Sequence, residues 1–374
     1  MKNTLRVLSR IFLVVILLYF FLVSIGLMAA TFKGLGEGFA EGLVRTTSNP
    51  FVGLFIGILA TSIVQSSSTT TSIVVGMVGS EVIAIGNAIP IIMGANIGTT
   101  VTNTLVSFGH VNRRDEFRLA IGAATVHDFF NIVCVCILFP LELATGFLEK
   151  FATLMSTLFQ GFGGITFISP IKLATRPAIN FIEQLLAEFL NMPQNAMHIL
   201  MLIASLIFLF FSLFFLVRVM KYLVIKRAEA VLDNFLAKSA FTGILGGMIF
   251  TFIVQSSSIT TSLLVPLVGA GILTIEAVFP VVVGANIGTT GTAILASLAT
   301  GNIYGVTIAF VHFLFNLIGV LFIYPIKLFR IIPINLAKFL GNLAYKEKGY
   351  ALVYVLGLFF VVPALLILIS RYFE

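Results

Sequence analysis

Two copies of one polar cluster, each embedded in a long apolar stretch, constrain this chain more than any other feature. TSIVQSSSTTTSIVVGMVG occupies residues 61–79 and TFIVQSSSITTSLLVPLVG residues 251–269. Gln65 pairs with Gln255, Pro90 with Pro280 and Asn96 with Asn286 at one constant offset, so two long blocks are copies. The stretches around the motifs, residues 46–80 and 239–275, contain no Asp, Glu, Lys or Arg. Hydroxyls and a carboxamide at membrane depth must find partners, and irregular backbone survives there only where it lines a protein-enclosed cavity. The plainer alternative is serines bonding back within ordinary spanning helices. It accounts for scattered serines better than for a duplicated block.

That the setting is a membrane follows from composition. With 59% hydrophobic and 10% charged residues in 374 and a mean hydropathy of +1.12, the chain reads as an all-α polytopic membrane protein. The net charge of +7 does not point to nucleic acid, because Lys and Arg sit in short clusters between apolar segments, the positive-inside pattern. Cys134 and Cys136 lie in one apolar stretch at a spacing that points them to different helix faces. They read as small core residues, neither a metal site nor a disulfide.

In chain order, residues 1–49 read as an N-terminal transmembrane helix and an interfacial segment: Lys2, Arg6 and Arg10 precede an apolar run, residues 11–30, that suits an uncleaved helix starting inside. Residues 50–140 form the first repeat. It holds a re-entrant helical hairpin centred on Gln65, where Gly53, Gly57, Gly76 and Gly79 allow close backbone approach. A transmembrane helix broken at GANIGTT (residues 94–100) and a return helix over residues 119–140 follow. Arg113, Arg114 and Arg118 mark a cytoplasmic loop between them. Residues 141–195, with PIKLATRPAINFIEQLLAEFL, suit an outer interfacial amphipathic segment. Residues 196–240 cross inward and end in the densest basic cluster, Arg218, Lys221, Lys226, Arg227 and Lys238. Residues 241–325 form the second repeat, with a hairpin centred on Gln255, a broken helix over residues 277–299 and a return helix over residues 304–324. His127 pairs there with His312 and Asn131 with Asn316. Three crossings separate the hairpins, and an odd number inverts a repeat. Residues 326–374 read as a cytoplasmic-side interfacial segment and a C-terminal transmembrane helix that ends outside.

Two inverted-topology repeats with discontinuous helices are the signature of a secondary transporter whose site lies near the midplane. Two hairpins can aim half-helix N-termini and Ser hydroxyls at one point, which suits a small anion. Oxygens from Gln, Asn, Thr and the backbone suit a hard cation such as sodium. The candidate sodium ligands are then Gln65, Ser68, Thr71, Asn96, Thr99 and Thr100, with Gln255, Ser258, Thr261, Asn286, Thr289 and Thr290. Neither hairpin contains Arg or Lys, so the compensating cation is expected from solution, which argues for cotransport. Asp128 is the only Asp, Glu, Lys or Arg between Arg118 and Glu142, and an intramembrane carboxylate is functional by default. His127 and His312 read as interhelical hydrogen bonders, Asn96 and Asn286 as helix caps or sodium ligands, and Glu81 and Glu276 as solvated.

The paired QSSS blocks, the two GANIGTT segments and ATVHDFFN (residues 124–131) with its counterpart FVHFLFN resemble the type II sodium/phosphate cotransporter family over roughly half the chain. By that resemblance the chain is identified as a bacterial member. The resemblance implies sodium-driven uptake of inorganic phosphate, mainly as the dianion, by alternating access and electrogenically with three sodium ions per phosphate. It implies that Gln65, Ser66, Ser67 and Ser68, with Gln255, Ser256, Ser257 and Ser258, surround phosphate and sodium. Asp128 matches the aspartate of an additional sodium site. Sodium would be a cosubstrate with no cofactor. The setting would be the lipid bilayer of the cell inner (plasma) membrane, multi-pass and with the N-terminus cytoplasmic, and homo-oligomerisation stays open. Vertebrate relatives carry a longer outer loop with a disulfide and an extra C-terminal helix, whereas this chain has no cysteine in residues 141–195. The same machine carrying another small anion such as sulfate is the leading rival. An intramembrane hydrolase would need a base and an orienting acid beside one serine, and neither motif has an adjacent Lys, Asp or Glu. A non-transporting sensor is the third reading.

Overall fold

A computed structural model describes residues 2–35, 37–161, 164–186, 193–236 and 239–373, and every regular element among them is helical. Among the described residues, seven helices are long and apolar enough to cross a membrane. Lys238 and residues 187–192 of the amphipathic segment lie outside the described residues. Helix α1 (Lys2–Gly34) buries Phe21, Ile25 and Met28 and packs along α10 (Gln194–Leu236).

The hairpins are where the helices break. Helix α2 (Glu37–Thr47) meets α3 (Pro50–Val64) at a 99° bend. Asn49 starts α3 by accepting the Phe51 N–H at 3.0 Å, with Pro50 at the first helical position. Helix α3 stops at Gln65, which adopts the left-handed conformation (φ 60°), and Ser66 is extended (φ −152°) ahead of α4 (Ser67–Gly79). The second copy repeats this: α11 (Ala240–Val254), Gln255 at φ 59°, Ser256 at φ −154° and α12 (Ser257–Gly269). One Gln-Ser step thus ends a helix with a left-handed residue and starts the next with a serine cap.

Helix α5 (Ile85–Gly98) fixes the direction of the first hairpin. Gly53 lies against Asn87 and Pro90, Gly57 against Ile91 and Ala95, and Gly98 against Ile58 and Thr61, so α3 descends beside α5 in the same direction. Helix α4 then ends only a short linker, residues 80–84, before α5 begins, so it has returned to the end where α3 started. The second hairpin does the same beside α13 (Ile275–Thr300): Gly243 meets Pro280, Gly247 meets Val281 and Gly288 meets Met248. The two hairpins come in from opposite ends of the molecule. Gly79 sits against Thr300, where α13 finishes, whereas Gly269 sits against His110 and Glu116, where the first span finishes and α7 (Arg114–Thr145) begins. Each of these spans, residues 85–110 and 275–300, is 26 residues long. The repeats are therefore inverted.

The GANIGTT segments differ from expectation. In the first copy only Thr99 and Thr100 leave the helix, at near-helical angles (φ −64° and −91°), before α6 (Val101–Ser107) resumes; in the second, α13 is continuous. The glycines serve close approach instead of a break. A Cβ on Gly94 would collide with the Leu54 carbonyl oxygen, and one on Gly284 with that of Ile244, so α5 and α13 pack backbone to backbone on the entering half-helices.

Helices α8 (Phe147–Gly161) and α9 (Gly164–Gln184) lead to α10. Helix α8 packs on α14 (Ile303–Ile323), where Thr307 donates to Ser156 at 2.8 Å, and α15 (Lys327–Lys346) lies along α7. The last span comprises α16 (Gly349–Leu356), a π-helical turn (Gly357–Val361) and α17 (Val362–Phe373). It runs from Phe117 and Ile121, which pack on Ala351, to Asn49, which donates to the Ser370 hydroxyl at 3.4 Å. Cys134 is buried but Cys136 is exposed, so only one of the pair is a core residue, as their different faces require.

Candidate functional site

Each QSSS motif becomes a helix start aimed at the break. Ser66 Oγ accepts from the Thr69 N–H at 3.2 Å and the Thr69 hydroxyl at 2.8 Å, and Ser256 Oγ accepts from the Ile259 N–H at 3.4 Å. The amides of Ser67, Ser68, Ser257 and Ser258 open their helices and so have no intrahelical acceptor. All eight motif residues, Gln65, Ser66, Ser67, Ser68, Gln255, Ser256, Ser257 and Ser258, line one cavity of about 510 Å³. Four helix-terminal N–H groups and several hydroxyls on two half-helix starts share that cavity, a donor set whose chemistry suits an anion.

The glutamines are locked in place. Gln65 Nε2 donates to the Ser62 carbonyl at 3.2 Å while its Oε1 accepts from the Thr102 hydroxyl at 3.0 Å. In the second copy Gln255 Nε2 donates to the Phe252 carbonyl and its Oε1 accepts from Thr292 at 2.7 Å. The Thr292 oxygen also lies 3.4 Å from Ser68 Oγ, so a polar chain links the two motifs. Thr102 and Thr292 recur at the same offset as the glutamines, the one signal in the sequence for this pairing.

Helix α10 completes the cavity with Phe210, Leu213, Phe214, Val217 and Arg218. The expectation that the compensating cation comes from solution rested on the hairpins alone. The hairpins do lack Lys and Arg, but a spanning helix between the repeats adds Arg218, an exposed residue, to the lining. The signal was present in the sequence as the first residue of the basic cluster, where it read as a topology marker.

The proposed cation ligands are more dispersed. Thr71 donates to the Ser68 carbonyl at 3.3 Å, Thr99 to Ala95 at 3.0 Å, Thr100 to Ile97 at 3.1 Å, Thr289 to Ala285 at 3.0 Å and Thr290 to Ile287 at 2.7 Å. For these threonines the plain back-bonding alternative describes the arrangement. Thr261 donates to the Ser257 carbonyl at 2.8 Å and accepts from Asn103 Nδ2 at 2.7 Å, a bond between the second hairpin and α6. Asn103 was not anticipated, since its counterpart is Ala293.

Asn96 and Asn286 cap nothing; they sit inside helices in a buried network that crosses between the repeats. His127 Nε2 pairs with Asn286 Oδ1, and His312 Nε2 with Asn96 Oδ1 at 3.3 Å. Asn286 donates to Asn131 Oδ1 at 2.7 Å, Asn131 to the Asn96 carbonyl at 2.9 Å, and Asn316 to Asn96 Oδ1 at 3.2 Å. Both histidines thus act as interhelical hydrogen bonders, each on the opposite copy. Asp128, next to His127 but on another face of α7, lines no part of the cavity; its Oδ2 accepts from the Tyr354 hydroxyl at 3.0 Å. Glu81 accepts from Asn302 at 2.8 Å and Glu276 pairs with Lys338, so both exposed carboxylates have partners as well as solvent.

Residues 20–167 and 186–331 match the model of the Na+/Pi-cotransporter family. Sodium-dependent phosphate transport protein 2B of Homo sapiens is 35% identical, covering 95% of this chain and 64% of its own length. Sodium-dependent phosphate transport protein 2A of Rattus norvegicus is 34% identical, covering 94% of this chain and 66% of its own length. The protein 2A of Mus musculus is 34% identical, covering 97% of this chain and 68% of its own length. No solved structure matches.

Proposed function

The chain belongs to the Na+/Pi-cotransporter family, and from that premise and the shared cavity we propose that it couples sodium influx to uptake of inorganic phosphate by alternating access. The observation that carries the reading is the convergence of both QSSS half-helix starts on one cavity beside Arg218. In it, Gln65, Ser66, Ser67 and Ser68 with Gln255, Ser256, Ser257 and Ser258 hold the phosphate dianion through N–H and O–H donors, and the guanidinium adds a charge-assisted contact. The oxygens of Gln65, Ser68, Thr71, Asn96, Thr99 and Thr100, of Gln255, Ser258, Thr261, Asn286, Thr289 and Thr290, and of Asp128 are the candidate sodium ligands. Asp128 takes a third ion and makes transport electrogenic. The domain divisions read from the sequence organise this proposal: residues 50–140 and 241–325 as the two working repeats, in a plasma membrane with the N-terminus cytoplasmic.

Among the described residues that line the cavity there is no His, Asp, Glu or Lys to act as base for a serine nucleophile. The decisive experiment is labelled phosphate uptake into proteoliposomes with and without an inward sodium gradient. Sodium-dependent accumulation that arsenate competes and sulfate does not is expected. Uptake indifferent to sodium sinks the coupling, and preference for sulfate sinks the substrate.

A further inference from the structure

Asp128 sits fully buried on α7, which packs against the returning half of the second hairpin. One carboxylate oxygen takes the Tyr354 hydroxyl; the other, Oδ1, has no hydrogen-bond partner among the described residues. A buried carboxylate oxygen left this way is costly unless something else meets it. None of the ion pairs among the described residues involves Asp128. Its only protein partner among them is therefore a neutral donor, which orients the group without cancelling its charge.

Tyr354 is itself held. Its ring lies 5.7 Å from that of Phe129, the residue after Asp128, and 5.8 Å edge-on from that of Phe359. Phe359 is fully buried within the π-helical turn at Gly357–Val361, an irregularity that recurs at functional sites. The arrangement has no counterpart in the other repeat, where the position equivalent to Asp128 is Phe313. Tyr354 also lies beyond the residues matched to the family model.

We propose that Tyr354 is a positioning residue for the cation site at Asp128. Its hydroxyl fixes Oδ2, leaves Oδ1 turned to a sodium ion and makes the C-terminal span part of that site. Hard cations take oxygen ligands, and Oδ1 is the carboxylate oxygen left to supply one. The proposal rests on the reading of Asp128 as a sodium ligand.

The test is simultaneous measurement of current and labelled phosphate flux in the reconstituted full chain. Tyr354→Phe keeps the ring and its aromatic contacts and removes only the hydroxyl. The half-saturating sodium concentration should rise about 10-fold, the scale of one hydrogen bond to a charged group, and charge per phosphate should fall at limiting sodium. Added to Asp128→Gly, the same substitution should change sodium dependence no further. Wild-type sodium dependence in Tyr354→Phe, with charge lost in Asp128→Gly, overturns the role of Tyr354 alone. Wild-type charge per phosphate in Asp128→Gly overturns the reading of Asp128 and the proposal with it. A further loss of sodium affinity in the double variant marks a packing role and also overturns it.

Discussion

The Thr292 hydroxyl donates to Gln255 Oε1 at 2.7 Å, and Thr102 makes the equivalent bond to Gln65 at 3.0 Å. Each motif glutamine is thereby tied to the spanning helix of its own repeat. Thr292→Val keeps shape and removes the donor, so the Gln255 carbonyl loses its orientation. Sodium affinity should weaken by roughly 5- to 10-fold, the scale of one neutral hydrogen bond. Sodium activation curves identical to wild type would show that this bond is incidental.

Ser67 and Ser257 stand at matching helix starts on one cavity wall. Removing either hydroxyl from a buried anion site should cost about 1 to 3 kcal/mol, or roughly 5- to 150-fold in phosphate affinity. On the proposal that both act on one ion, Ser67→Ala and Ser257→Ala should couple in a double-mutant cycle. Strict additivity, read by isothermal titration with phosphate, separates the two motifs into different sites.

Arg218 is the one charged residue among the cavity's described lining. Replacing it with Gln removes the guanidinium and should weaken phosphate binding by roughly 10- to 100-fold. Arg218→Lys should recover only part of this, since an ammonium cannot make the bidentate contact. Unchanged affinity in Arg218→Gln places the guanidinium in solvent and removes it from the cradle.

Exposed Glu81 and Ile272, just past the ends of the two hairpins, report which side of the membrane each hairpin enters from. With Cys134 and Cys136 replaced, Glu81→Cys and Ile272→Cys should react with a membrane-impermeant maleimide from opposite sides. Reaction of both from one side contradicts the inversion.

The stoichiometry can be decided by magnitude. Two sodium ions with a phosphate dianion move no net charge, so a roughly tenfold sodium gradient supplies about 2.8 kcal/mol. A third ion crossing about 100 mV raises this to about 6.5 kcal/mol. Asp128→Gly should therefore retain some sodium-dependent uptake while losing the inward current. Equal charge per phosphate in variant and wild type would falsify the third-ion role.

Much of this was legible in the chain because repetition is a strong signal. The constant offset of Gln65 and Gln255 marks both hairpins, and the basic residues at Arg113, Arg114 and Arg218 count the crossings that invert them. What stayed hidden depends on contacts between distant segments. Glycine serves a break or a close approach equally well, so Gly94 and Gly284 could not be assigned until the Leu54 and Ile244 carbonyls were seen against them. Arg218 read as a loop charge because its neighbours are basic. Tyr354 meets Asp128 only because the last span folds back along α7, and nothing near either residue announces the other.

The glycine contacts also bear on how such a molecule can move. Where α3 lies on α5 and α11 on α13, main chain meets main chain at Gly57, Gly94, Gly247 and Gly284, and each glutamine is bonded to the adjoining span by a threonine. Separating a hairpin's entering half from its span would break these close backbone contacts. The softer seam is the His127–Asn286 and His312–Asn96 crossing, where exchangeable side-chain bonds join one copy to the other. On the proposed alternating access, hairpin and spanning helix would then move as one piece against the other repeat.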